Sequence, residues 1–123
     1  MVISARDAPP NSLGLVEDAS GGTIADPELL RHSSITSTDS SVAICCLNWQ
    51  DGETEITLGP TREVDPGTSP AFQWFVKTPT SKIVVRSVLL GTILELAVAQ
   101  TETTIRVWVN HPREPDSVII GLG

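Results

Sequence analysis

From residue 41 onward the chain alternates between apolar and polar positions. In "TTIRVWVN", residues 103 to 110, Ile105, Val107 and Val109 make one face, and Thr104, Arg106, Trp108 and Asn110 make the other. A period of two is the mark of a half-buried strand. "SVAICCLNW" is apolar on both faces and reads as a central strand that ends at Trp49. "TEITLG" turns Ile56 and Leu58 inward, and "AFQWFVK" does the same with Phe72, Trp74 and Val76, which places Trp74 in the core. "KIVVRSVLL", "TILELAVA" and "SVIIG" complete a set of seven strands. Turn chemistry separates them: "DGE", "PTREVDPGTSP", "TPTS", Gly91, "QTET" and "HPREPD". One segment has a second reading. In "RSVLLGTILELAVAQ", Leu89, Ile93, Leu96 and Ala97 would also line a helical stripe. A mid-helix Gly91 costs about 1 kcal/mol, and a hairpin uses that glycine better, so two strands are expected.

The first forty residues are irregular. "ARDAPPNSLG", "EDASGG" and "HSSITSTDSS" are loop signals, with room for short strands at Val2–Ser4, Leu13–Glu17 and Thr23–Ile24. "DPELLRH" predicts one helical turn, capped by Asp26 with Pro27 in its first position. The expectation is one all-β domain over 1–123: an antiparallel β-sandwich of about seven to nine strands with an irregular N-terminal segment over 1–40.

Charge then narrows the partners. The 123 residues carry 15 acidic and 8 basic side chains, a net charge of -7. Such a surface repels nucleic acid and anionic membrane and suits a basic protein. Plain solubility is the competing explanation. The cysteines, Cys45 and Cys46, are adjacent and point to opposite faces of a strand, so they read as reduced and packed. No secretory signal pattern opens the sequence, and no apolar run is long enough to span a bilayer. A cytosolic, cytoplasmic protein is expected.

Catalytic chemistry finds little support. His32 and His111 both fall in loops, and no nucleophile elbow is present. No metal-ligand spacing links the cysteines and histidines, and no glycine loop is set to cradle a phosphate. Glu53 and Glu55 share a strand face and read as solvated. Lys77, Lys82 and Arg86 form either a small basic patch or the wet side of a sheet. No catalytic residue, metal or cofactor is therefore expected.

Trp108 stands out because its face is otherwise polar. A loop roofs it, an arginine stem packs beside it, or it anchors a partner. If it is an anchor, the surrounding binding residues are Arg106, Asn110, Glu102, Glu114 and Asp116.

Residues 71 to 121 resemble the C-terminal half of the competence protein J family, small bacterial inhibitors of a DNA-entry nuclease. Phe75 and Val76 match one strand phrase, Ile83, Val85 and Ser87 the next, Leu94 and Leu96 a third, and Trp108 the tryptophan of a late strand. The resemblance implies a β-sandwich without catalytic residues, acting as a nuclease inhibitor or immunity-like binding module that occludes a basic partner, a nuclease or toxin. The alternative is an assembly subunit, of a particle or phage, whose N-terminal arm orders on a neighbouring copy.

Overall fold

The computed structural model describes residues 1–9, 12–24, 26–31, 33–87 and 91–123. Ten strands are described: β1 (Ile3–Asp7), β2 (Leu13–Asp18), β3 (Ile35–Ser37), β4 (Ser41–Cys45), β5 (Thr54–Pro60), β6 (Phe72–Lys77), β7 (Lys82–Ser87), β8 (Gly91–Ala97), β9 (Glu102–Val109) and β10 (Ser117–Leu122). They form two five-stranded sheets, in the orders β1-β5-β10-β9-β6 and β3-β4-β2-β7-β8.

The alternation in the sequence decides the packing. Val16 lies opposite Val42 on one side and Val85 on the other, and these residues, with Ile44 and Ile83, cover the inner face of the second sheet. Ile56, Leu58, Ile105, Val107, Val118 and Ile120 cover the inner face of the first. Each such side chain contributes about 1.5–3 kcal/mol when fully removed from water. That interlocking core makes the molecule a sandwich.

Three expectations change. The seven strands after residue 41 are present, but the region before it is more ordered than its composition suggests. β1 pairs with β5, and β2 lies at the centre of its sheet between β4 and β7. The N-terminal region is thus part of the sandwich rather than a free arm, and Thr23–Ile24 forms no strand. Second, β5 and β10 run parallel, while every other described pair is antiparallel. Third, the loop after β5 contains a short helix, α1 (Thr61–Val64), between its prolines. The hairpin reading of Gly91 holds: β7 and β8 pair antiparallel, and Gly91 opens β8 at a φ of 87°. Leu89, part of the helical alternative, lies outside the described residues. The turn at "DPELLRH" is a 3-10 helix, Pro27–Arg31, and the Glu28 amide donates to Asp26 Oδ1 at 3.0 Å.

The acidic end of the sandwich as candidate functional site

Trp108 leaves β9 on the outer face of its sheet, and that face is roofed. The chain from α1 to Ala71 crosses over β10 and β9, and the indole Nε1 donates to Thr68 O at 2.9 Å. Trp108 is 6% exposed. Gly121, beneath the ring, allows this fit, since a Cβ there would stand 3.1 Å from the ring and 2.7 Å from Thr61 Oγ1. Of the three readings of Trp108, the loop roof is the one found: the indole is a packing residue that ties the roof to the sheet, and the ring is not left open as an anchor. Arg106 serves the same roof. Its guanidinium donates to Gln73 Oε1 at 3.2 Å, to Thr61 Oγ1 at 3.4 Å and to Gly123 O.

The other expected contacts separate. Glu102 and Asn110 bracket β9, about 26 Å apart at a strand's rise, so they do not share one small surface. Asn110, Glu114 and Asp116 do. Asn110 Nδ2 donates to Asp116 Oδ1, and Asn110 Oδ1 accepts the Ser117 amide at 3.1 Å. His111 holds the tip of this turn, accepting the Arg113 and Glu114 amides on Nδ1 at 3.1 and 2.9 Å. The imidazole therefore has a structural part in this turn. His32 lies outside the described residues.

A second loop joins this turn, and the sequence reading missed it. The Leu47 amide donates to Pro115 O at 2.9 Å, Thr54 Oγ1 donates to the same carbonyl at 3.1 Å, and the Glu55 amide donates to Asp116 O at 2.8 Å. Residues 47–55 and 115–116 are thus zipped side by side. The first loop turns at Asn48, whose side chain accepts the Gln50 amide at 3.0 Å. Trp49 lies in that turn rather than at a strand end and is 55% exposed. Asp51, Glu53, Glu114 and Asp116 are exposed on the same two loops. The signal was readable in "NWQDGE": a large aromatic inside a polar turn has no core to enter.

Elsewhere the basic residues Lys77, Lys82 and Arg86 are each matched. Lys77 pairs with Asp39 at 3.6 Å, Lys82 with Glu95 at 3.5 Å, and Arg86 with the buried Glu17. The three basic residues form no free patch. The thiols are quiet as well. Burial, and then the neighbouring Cys45, push the Cys46 thiol up to about 12, and burial raises Cys45 against the opposing pull of Arg113. Among the described residues no group of histidines, cysteines and carboxylates is arranged to hold a metal. No described helix is long and apolar enough to cross a membrane.

No family model matches the chain, and no curated protein matches it in sequence. The fold does have solved counterparts. It superposes on the crystal structure of ComJ from Bacillus subtilis, an inhibitor of the DNA degrading activity of NucA, with a TM-score of 0.60. The fold is ComJ-like. The match covers 99% of this chain and 97% of ComJ at 11% identity. A protein described as crocagin biosynthetic gene J superposes with a TM-score of 0.52 at 12% identity, covering 98% of this chain and 94% of that one. The ComJ-like shape thus extends over the whole sandwich, well beyond residues 71–121.

Proposed function

We propose that this chain is a cytosolic, non-catalytic binding module that inhibits a nuclease by covering its basic, phosphate-binding surface. The observation that carries the reading is Trp49, an exposed tryptophan on two zipped loops that also expose Asp51, Glu53, Glu114 and Asp116. Tryptophan is the residue most suited to anchor an interface, and carboxylates around it select a cationic partner and speed its approach. The ComJ-like fold supports the same reading, since ComJ inhibits a DNA-degrading enzyme. Asn110 and Asp116 form the firm floor of the site, while Arg106 and Trp108 hold the roof beside it.

The test is a capture at low salt from an extract of the native cell, followed by a DNA-degradation assay on the protein that elutes at high salt. A captured nuclease whose activity falls on adding excess of this chain is the expected result. The variant Trp49→Ala should weaken capture by about 2 kcal/mol or more. Reversing Glu53 and Glu114 to lysine should slow association and remove the salt dependence. Captured protein without nuclease activity, or capture indifferent to all three changes, overturns the proposal.

A further inference from the structure

The free edge of β6 carries a feature that the acidic end does not use. Trp74, expected in the core, is 43% exposed, and Phe75 is 45% exposed. The reason is position. Trp74 faces inward opposite Ile105, but among the described residues β6 is the last strand of its sheet and no strand lies beyond it. The two rings stack with centroids 5.2 Å apart and planes 6° from parallel. Consecutive strand residues leave opposite faces, so their rings meet only around an edge of the strand. β9 occupies one edge, and the stack therefore lies at the open one.

The backbone there is also open. Thr78 donates its amide toward β9, to Thr101 O at 2.7 Å, whereas Lys77 donates away from it, to Asp39 O at 3.0 Å. Alternation turns the amides and carbonyls of Phe75 and Gln73 to the same outer side as that of Lys77. None of the described residues bonds to them there. An apolar edge with no proline or inward charge is a template for another strand.

We propose that this edge pairs with the β6 edge of a second copy of the chain, forming a weak two-fold dimer. Charge selects the occupant. Phe72–Lys77 contains no carboxylate, and its one charge, Lys77, is matched by Asp39 at 3.6 Å, so the strip is neutral in a chain of net charge -7. A basic partner gains nothing from that strip, while two acidic copies meet there with the least repulsion. The register is self-complementary. With Trp74 opposite its symmetry mate, Gln73 and Phe75 exchange four backbone hydrogen bonds across the axis, and the Lys77 amide stays on Asp39. The two intrachain stacks are traded for one Trp74–Trp74 pair on one face and two Phe75–Gln73 pairs on the other. Aromatic rings bury about 150–250 Å² each, and these are already half covered, so the contact stays below the roughly 1,200 Å² of a stable interface. Dimerisation should thus appear only at high protein concentration. Salt should strengthen it by screening the net charge, the opposite sign to capture of a basic partner.

Sedimentation across a wide concentration range, at low and high salt, tests this with the wild-type protein. The expected result is a mass that climbs toward twice the monomer, further at high salt, while the amides of Gln73 and Phe75 gain protection from hydrogen exchange. Trp74→Lys, which sets two cations face to face, and Phe75→Pro, which removes an outward amide that β9 does not use, should both stay monomeric. Unchanged thermal midpoints confirm that the two variants fold. A wild-type monomer under all conditions overturns the proposal. So does a dimer that survives both substitutions, or protection of these two amides only in a complex with another protein. None of these outcomes bears on nuclease capture, which is measured separately and responds to salt in the other direction.

Discussion

At the scale of single residues, two buried side chains do structural work that polar appearance conceals. Trp108 joins the roof to the sheet through ring packing and one indole hydrogen bond. Trp108→Ala should cost about 3–5 kcal/mol in denaturant unfolding, with no partner present. Trp108→Phe should retain most of the packing and lose about 1 kcal/mol with the hydrogen bond. Asp18 joins two turns: Oδ2 accepts from Ser20, and Oδ1 accepts the Thr80 amide and hydroxyl at 3.1 and 2.9 Å. Burial raises its pKa, but the Ser20 and Thr80 hydrogen bonds outweigh that and lower it overall. A folded pKa below the unfolded value of about 3.9 gives stability that is complete above that pH and is lost as the pH falls through the folded value. Asp18→Asn should therefore destabilise the protein at neutral pH and flatten the loss of stability in acid, read from denaturation midpoints across pH. The sequence showed which way Trp108 points, because the period of two is local. Its cover was not legible, because Thr68 lies forty residues away.

At the scale of elements, the connection between β5 and β6 is the part least visible in the sequence. "PTREVDPGTSP" carries the composition of a surface loop, and four residues of helix between prolines leave no periodic signature. Its position is fixed from below by Gly121. A Cβ at that site would meet Thr61 Oγ1 at 2.7 Å and Thr61 Cα at 3.2 Å, so the helix backbone itself has to move. Gly121→Ala should cost about 1–3 kcal/mol and raise the exposure of Trp108, seen as a red shift of its fluorescence in a variant lacking Trp49 and Trp74. An unshifted emission would show that the roof yields without opening. β6 misled for a related reason. Its alternation is that of any strand in a sandwich, but edge position follows from sheet order, and sheet order is not local. The same holds for the parallel pairing of β5 with β10, whose partners are separated by the whole second half of the chain.

At the scale of the whole molecule, the net charge was legible and its placement was not. Composition gives -7, but only the fold zips residues 47–55 against 115–116 and so gathers Trp49 with the carboxylates of two distant loops. Among the described residues Asp51, Glu53 and Glu114 form no ion pair, and they add repulsion to a chain already acidic. If they serve recognition rather than folding, neutralising them should not harm the fold. The combined variant Asp51→Asn, Glu53→Gln, Glu114→Gln should unfold at the wild-type temperature or above it in low salt. That difference should vanish in high salt as screening removes the repulsion. Asp116 is left in place because it accepts the Asn110 hydrogen bond that shapes the turn. A fall in the midpoint would assign the three carboxylates to stability instead. An unchanged or higher midpoint, together with lost capture of a basic partner, would mean that the acidic end is kept at a small cost to the fold.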